Sequence, residues 1–333
     1  MASAEQIKSL VTSFASRDDE RFRTVAMELA AAAARDGDAA LAKSIQDMVD
    51  RSRRTTLPSI APRAVPITRP DGELAALFTA SFPRVHLSEM VLPAELRQRL
   101  ERVLQENRQA ESLRSHGLEP RRRLLLVGPP GCGKTMTAQA LAGETGLPLL
   151  VIQFHTLITR YMGETAAKLF TVFEAMKRTR GVYLFDEFDA LGTSRTSTND
   201  VGEARRIVNS FLQLIERDDS ESIIVAATNH CEALDHALFR RFDDILKFTR
   251  PTTPMVRQLI ANRLAMFGAA KLEWKPVLAA SKGLSHAEVV RGCEDAAKDV
   301  VMAGRKTVGT ADLTEALRRR RSGTRSRRSA AKR

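Results

Sequence analysis

The residues with the clearest chemistry form one stretch that directly follows an apolar segment, residues 124–127. The stretch has the spacing G-x-x-x-x-G-K-T, in which glycines let successive backbone N–H groups converge on phosphate oxygens at the start of a helix. Its lysine can contact the β- and γ-phosphates, and its threonine hydroxyl can ligate Mg²⁺. The pattern predicts a nucleotide-binding loop made of Gly128, Pro129, Pro130, Gly131, Cys132, Gly133, Lys134, Thr135 and Met136.

Two adjacent carboxylates follow a second apolar segment, residues 182–185. If that segment is a strand of a parallel sheet, its carboxyl end faces the crevice that holds the nucleotide. Asp186 can then join Thr135 in the shell of Mg²⁺, and Glu187 can orient and deprotonate the water that attacks the γ-phosphate. The two stretches together predict hydrolysis of a nucleoside triphosphate.

These motifs resemble those of AAA+ ATPases, in the branch that includes protein-unfolding and protein-remodelling rings, and the resemblance covers roughly residues 85–317. It implies a bacterial-type protein with a single ATPase domain that uses ATP and Mg²⁺. The segment 226–229 resembles the first sensor of the family, so Asn229 would position the attacking water beside Glu187. The segment 237–243 resembles the paired arginine fingers, so Arg240 and Arg241 would act on ATP bound to a neighbouring subunit. A homo-oligomer follows from this resemblance, and six subunits in a ring are usual for the family.

The segment Tyr161, Met162 and Gly163 resembles the family's pore loop, in which an aromatic ring from each subunit grips an extended polypeptide. An aromatic side chain suits this role because it offers a large contact area with few rotatable bonds. The alternative is that Tyr161 packs under the helix that follows it.

Residues 285–288 form a Ser-x-x-Glu capping box at a helix start. They also resemble the family's Ser-Gly-Ala-Asp contact with adenine, which would place His286 and Ala287 at the nucleotide, although His286 stands where the family has a small residue.

The surrounding periodicity must position these residues. Short apolar segments, predicted as strands, alternate with helical ones between residues 124 and 248, which is typical of an α/β fold with a parallel sheet covered by helices on both faces. After residue 251 the sequence predicts only helices, which would form a small all-helical lid domain. The predicted domains are a helical N-terminal docking segment (1–50), a Pro/Arg-rich linker (51–84), the P-loop AAA+ domain (85–251), the lid (252–317) and a disordered basic tail (318–333).

The net charge of +12 on 333 residues is concentrated outside the predicted fold. Residues 318–333 carry nine Lys or Arg and residues 51–70 carry five Arg, without any acidic residue, so the remainder is close to neutral. The basic tail could bind nucleic acid or an acidic protein.

The chain lacks an apolar run of membrane-spanning length and a signal-like start, which predicts a cytoplasmic protein. Its three cysteines have no paired spacing, which predicts reduced thiols.

Two functions remain open from the sequence. The leading hypothesis is a ring motor that unfolds or remodels a polypeptide client, and the alternative is a nucleic-acid-associated motor or loader tethered by its Arg-rich tail. The Tyr161 segment favours a protein client. Because the chain contains neither His-Glu-x-x-His nor Gly-x-Ser-x-Gly, proteolysis would require a separate protease, reached directly or through an adaptor.

Overall fold

The computed structural model of the protein describes residues 77–153, 164–188, 198–229, 239–267 and 272–330. The helix-covered sheet contains, in chain order, β1 (Thr79–Ser81), α1 (Ala94–Arg108), α2 (Ala110–Ser115), β2 (Arg123–Val127), α3 (Lys134–Thr145), β3 (Leu149–Gln153), α4 (Glu164–Arg178), β4 (Val182–Asp186), α5 (Thr198–Arg217), β5 (Ile223–Thr228) and β6 (Asp244–Lys247). It is followed by α6 (Thr253–Leu264), α7 (Trp274–Ser281), α8 (His286–Met302) and α9 (Thr310–Ala330). Short 3-10 turns lie at Leu87–Glu89 and Ala265–Phe267.

The six strands form one sheet in the order β1-β3-β4-β5-β2-β6. All neighbouring pairs are parallel except β1 and β3, which are antiparallel at one edge. The parallel strands all end on the same side of the sheet, which we call its carboxyl edge, and the side on which they begin is its amino edge. The central strands β4, β5 and β2 lie side by side, so their last residues are neighbours at the carboxyl edge. This arrangement confirms the predicted α/β fold.

Helices cover both faces of the sheet because side chains alternate along each strand. Along β2, Leu124 and Leu126 pack with α1 and α3 on one face, whereas Leu125 and Val127 pack with α4 and α5 on the other. The second face contains a cluster of buried aromatic rings with centroids 4.9–6.0 Å apart, formed by Phe173, Phe185, Phe188 and Phe211. Two buried layers therefore fix the strands that carry the predicted site.

The helices α6 to α9 form a third apolar cluster, which confirms a helical lid after the sheet. The helix α7 contains a proline, Pro276, close to its start. Pro276 is the third residue of α7, where its missing N–H has no helical partner to lose.

The structure corrects the N-terminal boundary of the AAA+ domain. The predicted linker extends to residue 84, but Leu77 and Phe78 are buried in the sheet's core and β1 pairs with β3. The strand consists of Thr, Ala and Ser, all exposed, so it lacks the alternating apolar pattern that identifies a strand. Backbone pairing to β3 and the two preceding apolar side chains hold it in place instead.

The structure also corrects the start of the tail, because α9 continues to Ala330, beyond the predicted lid boundary at residue 317. Its first half is anchored by buried Leu313 and Leu317. The first arginines of the predicted tail then find partners on the lid: Arg319 contacts Asp299 and Glu315, Arg320 contacts Asp295, and Arg321 donates to the Ala279 carbonyl. Arginine has a high helix propensity, so a helix already fixed to the lid can extend through this segment.

The predicted N-terminal docking segment and most of the linker lie outside the described residues, as does residue 331 onwards. Among the described helices, none combines the length and the apolar character needed to cross a membrane.

Candidate active site

The loop between β2 and α3 has the backbone shape of a phosphate cradle. Gly131 has a φ of 74°, which an L-residue with a side chain rarely adopts. A Cβ atom at Gly128 would lie 2.2 Å from the Phe248 carbonyl oxygen, so only glycine lets the loop approach the end of β6 so closely. A loop of this kind that leads into the N-terminus of α3 directs backbone N–H groups toward an anion. The cradle therefore fits the phosphates of a nucleotide.

Lys134 connects this loop to the end of β5. Its ammonium Nζ donates to the carbonyls of Gly128 (2.6 Å) and Pro129 (3.1 Å) and to Oδ1 of Asn229 (2.8 Å). The residue is only 7% exposed, and a buried ammonium needs such partners. The structure thus brings together the predicted phosphate lysine and the predicted sensor asparagine.

Two side chains whose oxygen atoms could ligate a metal ion lie close together where α3 begins and β4 ends. The Thr135 hydroxyl donates to Oδ2 of Asp186 at 3.1 Å. Mg²⁺ prefers oxygen ligands, and in nucleotide sites it is usually held by one or two protein groups together with waters and phosphate oxygens. The pair Thr135 and Asp186 has this donor chemistry and lies beside the phosphate cradle, so these residues fit Mg²⁺ bound to a nucleotide.

Glu187 follows Asp186 in a strained conformation. Its φ is 56°, and it is the single non-glycine residue with positive φ among the described residues. Its backbone N–H donates to Oδ1 of Asp186 at 2.9 Å, and its side chain is exposed at the sheet's carboxyl edge. Backbone strain of this kind is concentrated at functional sites. The geometry places the predicted water-activating carboxylate beside the predicted metal ligand.

The cysteine within the loop has a structural role. Cys132 is 1% exposed and packs in the cluster between the sheet, α1 and α3. Burial raises the pKa of its thiol, against the opposing effect of the nearby Lys134 ammonium. Cys132 and Cys293 are both free and buried. The neighbouring Met136, in the first turn of α3, is partly exposed.

The lid contacts the phosphate loop directly. The Ala287 N–H donates to the Gly131 carbonyl at 3.0 Å, and a Cβ atom at Gly131 would lie 2.7 Å from Ser285 Oγ. The predicted capping box is present, with Ser285 N donating to Glu288 Oε2 at 2.7 Å. The predicted residues His286 and Ala287 therefore lie at the loop.

A segment before α1, residues 85–91, also borders the site and was not identified from the sequence. Leu87 N donates to Glu144 at one end of α3, and Met90 Cε would lie 3.5 Å from a Cβ atom at Gly133 at the other end. Val91 packs in the lid's apolar cluster. We call residues 85–91 the strap, because it runs along α3 from its last turn to its first and ends on the lid. Its apolar residues carry no chemical signature that could have revealed it.

The two predicted arginine fingers do not join the loop. Arg240 and Arg241 precede β6, and the Asp243 N–H donates to the Arg123 carbonyl at the start of β2. They are therefore at the amino edge of the sheet, separated from the loop by the length of β2, about 13 Å at the usual rise of a strand. Both are exposed, and Arg241 forms an ion pair with Glu216 of its own chain. The pore-loop candidates Tyr161, Met162 and Gly163 lie outside the described residues.

Comparison with known proteins adds independent findings. The family model for the ATPase family associated with various cellular activities (AAA) matches residues 124–250. An uncharacterised AAA family ATPase of Sinorhizobium fredii is 35% identical over 329 residues, which are 97% of this chain and 98% of that protein. An ATP-dependent zinc metalloprotease FtsH of Lancefieldella parvula is 35% identical over 205 residues, or 59% of this chain and 32% of the relative. A proteasome-activating nucleotidase of Saccharolobus solfataricus is 32% identical over 247 residues, or 71% of this chain and 62% of the relative. The chain thus spans nearly the whole of the first relative but about a third of the second and under two thirds of the third.

Proposed function

Because the chain belongs to the AAA family of ATPases, we propose that it uses ATP hydrolysis to unfold or remodel protein clients, and that it does so as a homo-oligomeric ring. The hydrolysis itself, of ATP with Mg²⁺ to ADP and phosphate, is the activity of this family. What we propose beyond it is the role of each residue, the assembly and the client.

The residues at the carboxyl edge divide the chemical step among them. Lys134 exchanges its loop carbonyls for the β- and γ-phosphates, and Thr135 and Asp186 hold Mg²⁺, which neutralises charge on the phosphate oxygens when it is bound. Glu187 orients the attacking water and accepts its proton. Asn229, which now accepts from Lys134, positions the same water. Each role follows from the side chain's type and from its place around the cradle.

The single observation that carries the assembly is the position of Arg240 and Arg241 on the sheet edge opposite the loop. An arginine that stabilises charge on the γ-phosphate must reach that phosphate. Neither arginine can do so within its own chain without crossing the length of β2. A second copy whose amino edge faces this carboxyl edge would supply them, and repetition of that head-to-tail contact closes a ring, for which we propose six subunits.

The names of two relatives support a protein client. One relative is called an ATP-dependent zinc metalloprotease and another a proteasome-activating nucleotidase, so both names connect ATP with protein breakdown. This chain spans only part of either relative, so we extend to it the handling of a polypeptide and not the breakdown. In this proposal Tyr161, with Met162 and Gly163, grips the client, and any proteolysis is performed by a separate partner. The cytoplasmic location stays a prediction from the sequence.

The nucleic-acid alternative rests on the basic charge of the tail, and part of that charge is paired within the fold. Arg319, Arg320 and Arg321 at the start of the basic tail contact lid groups, including the carboxylates of Asp295 and Asp299. Their charge is thus partly neutralised within the fold, so fewer arginines are available to phosphates than the sequence suggests.

The experiment that tests the proposed function compares Tyr161→Ala with Tyr161→Phe in the full-length protein. A green fluorescent protein with an unstructured tail is the client, and loss of fluorescence with ATP measures unfolding. We expect Tyr161→Ala to hydrolyse ATP at close to the wild-type rate but to lose unfolding, whereas Tyr161→Phe keeps both because the grip needs the ring more than the hydroxyl.

Two results would contradict the proposal. Unfolding at the wild-type rate by a stable Tyr161→Ala protein would exclude the gripping role. An ATPase rate that rises with single-stranded DNA or RNA but not with the protein client would support the nucleic-acid alternative. If Tyr161 were a core residue, alanine would lower the melting temperature together with ATPase activity, since truncating a buried aromatic costs about 3–5 kcal/mol.

A further inference from the structure

The imidazole of His286 has an unusual environment for a polar side chain. Both ring nitrogens are shielded from solvent, and neither has a hydrogen-bond partner among the described residues. Within the part of the chain that the structure describes, the other buried side-chain atoms without a hydrogen-bond partner are single atoms on Arg123, Thr165 and Thr314. Buried polar groups are normally paired, because leaving one unpaired is unfavourable. A side chain with two such atoms therefore calls for an explanation.

The location of His286 indicates what its partner is. It lies between Ser285, which approaches Gly131, and Ala287, which donates to the Gly131 carbonyl. The backbone of Val91, the last residue of the strap, is close enough to the ring to raise its pKa. The ring is thus at the junction of the phosphate loop, the strap and the lid. A nucleotide whose phosphates occupy the loop extends its nucleoside toward the elements that border the loop, and these are the elements that meet at His286.

The Val91 backbone also suggests which ring nitrogen carries the proton. Burial lowers the pKa of the His286 imidazole, and the Val91 backbone acts in the opposite direction, as only a hydrogen-bond acceptor does. The Val91 carbonyl is therefore the nearest candidate acceptor for the ring N–H, although it forms no hydrogen bond with either ring nitrogen. A neutral imidazole has one donor and one acceptor nitrogen. If the N–H is directed toward Val91, the other nitrogen is a bare acceptor.

We propose that His286 determines base specificity by accepting a hydrogen bond from the 6-amino group of a purine. The inference rests on the nucleotide site proposed above and names the part of the nucleotide that the lid reads. Adenine carries an amino donor at position 6, whereas guanine and hypoxanthine carry an oxygen acceptor there. An acceptor nitrogen that faces an acceptor oxygen leaves both unpaired, so a 6-keto base is disfavoured.

The test measures equilibrium binding of ATP and of inosine triphosphate, which presents oxygen in place of the amino group. All four proteins are full-length and carry Glu187→Gln, so that they do not hydrolyse the nucleotide. One has no further change and is called the background protein, and the others add His286→Leu, His286→Gln or His116→Leu. Leucine fills similar space without polar atoms, and glutamine keeps an acceptor oxygen. His116 is an exposed histidine on the turn after α2, so its replacement is a matched control for the same chemical change.

We expect the background protein to bind ATP about tenfold more tightly than inosine triphosphate, the value of one well-made hydrogen bond. His286→Leu should bind the two nucleotides within about twofold of each other, through loss of ATP affinity, whereas His116→Leu keeps the preference. His286→Gln should keep part of the preference for ATP, because glutamine still offers an acceptor oxygen. The melting temperature of ligand-free His286→Leu should equal or exceed that of the background protein, because two unpaired buried nitrogens are removed.

A folded His286→Leu protein that keeps the preference for ATP would overturn the inference, and so would a background protein that shows no preference. A preference that changes only in proportion to a lower melting temperature, and that glutamine does not restore, would show a structural histidine instead. Failure of the nucleotide site itself gives a different result, because then neither nucleotide binds the background protein and Lys134→Ala changes nothing.

Discussion

The ammonium of Lys134 donates to Asn229 Oδ1 at 2.8 Å, so the residue proposed to hold the phosphates is bound to the residue proposed to position water. The same ammonium also donates to two loop carbonyls. Phosphate oxygens are stronger acceptors for a cation than neutral carbonyls. Nucleotide binding should therefore draw Lys134 away from Asn229, which links occupation of the loop to release of the sensor side chain.

Replacing Lys134 and Glu187 should separate binding from turnover. Lys134→Ala removes the charge proposed to contact the phosphates in the ground state, and we expect its ATP dissociation constant to rise about 100-fold, as for loss of a hydrogen bond between charged groups. Glu187→Gln removes only the proton acceptor, so binding stays close to wild type while kcat falls about 10²–10⁴-fold. Isothermal titration calorimetry and a phosphate-release assay measure the two quantities. Equal loss of ATP binding in both folded variants would contradict the assigned roles.

Arg240 and Arg241 should be required in trans. We expect Arg240→Ala or Arg241→Ala to lower kcat about 10³-fold, the usual contribution of an arginine finger, without loosening ATP binding. Mixing a variant with wild type should reduce activity more than dilution does, because each variant copy impairs its neighbour's site. Wild-type specific activity should also rise with protein concentration.

The matched control for the arginine fingers is Arg102→Ala, an exposed arginine of α1 that pairs with Glu106. It should leave turnover and mixing behaviour unchanged. Concentration-independent turnover by a protein that sediments as a monomer would rule out a site shared between copies.

Two truncations should distinguish the part of the tail that belongs to the lid from the part that does not. Deleting residues 323–333 keeps every lid contact of Arg319 to Arg321, so ATPase activity and melting temperature should stay close to wild type. Deleting from residue 318 removes those contacts and should lower the melting temperature only slightly, because each exposed ion pair contributes little. Differential scanning calorimetry measures the difference.

Binding to a polyanion such as heparin gives a second readout on the same truncations. It should weaken with both deletions and lose most of its salt dependence. An unchanged salt dependence after the longer deletion would place the anion-binding surface in the sheet or the lid.

His286 should make the fold less stable in mild acid. Burial lowers its pKa below the ordinary value of 6.5, so the unfolded chain takes up a proton at a pH where the folded chain does not. The unfolded state binds more protons in that window, and folded-state stability therefore decreases as the pH falls through 6.5 and below. The melting temperature of wild type should fall more between pH 7.5 and 5.5 than that of His286→Leu, in which other titrating groups are unchanged. Parallel pH profiles would show that the imidazole titrates normally.

The sequence could predict the carboxyl edge of the sheet because its residues are local to strand ends. Lys134, Asp186 and Asn229 each follow or border an apolar strand, and parallel pairing alone brings such positions together. The strap could not be predicted, since Met90 and Val91 are ordinary apolar residues that matter only through their contact with the loop and the lid. The extension of α9 was missed for a related reason. In the sequence Arg320 is one of a run of basic residues, and only its contact with Asp295, 25 residues away, shows that it belongs to the lid.

The separation of the arginine pair from the phosphate loop determines how many working sites an assembly can contain. If the arginine pair acts on a neighbouring copy as proposed, each complete site requires one carboxyl edge and one amino edge from different copies, so the number of sites equals the number of contacts between copies. An open row leaves a bare edge at either end and has one site fewer than it has copies, and a single copy has none. Under this proposal only a closed ring lets every copy turn over ATP, and its head-to-tail contacts all run in the same direction around the ring.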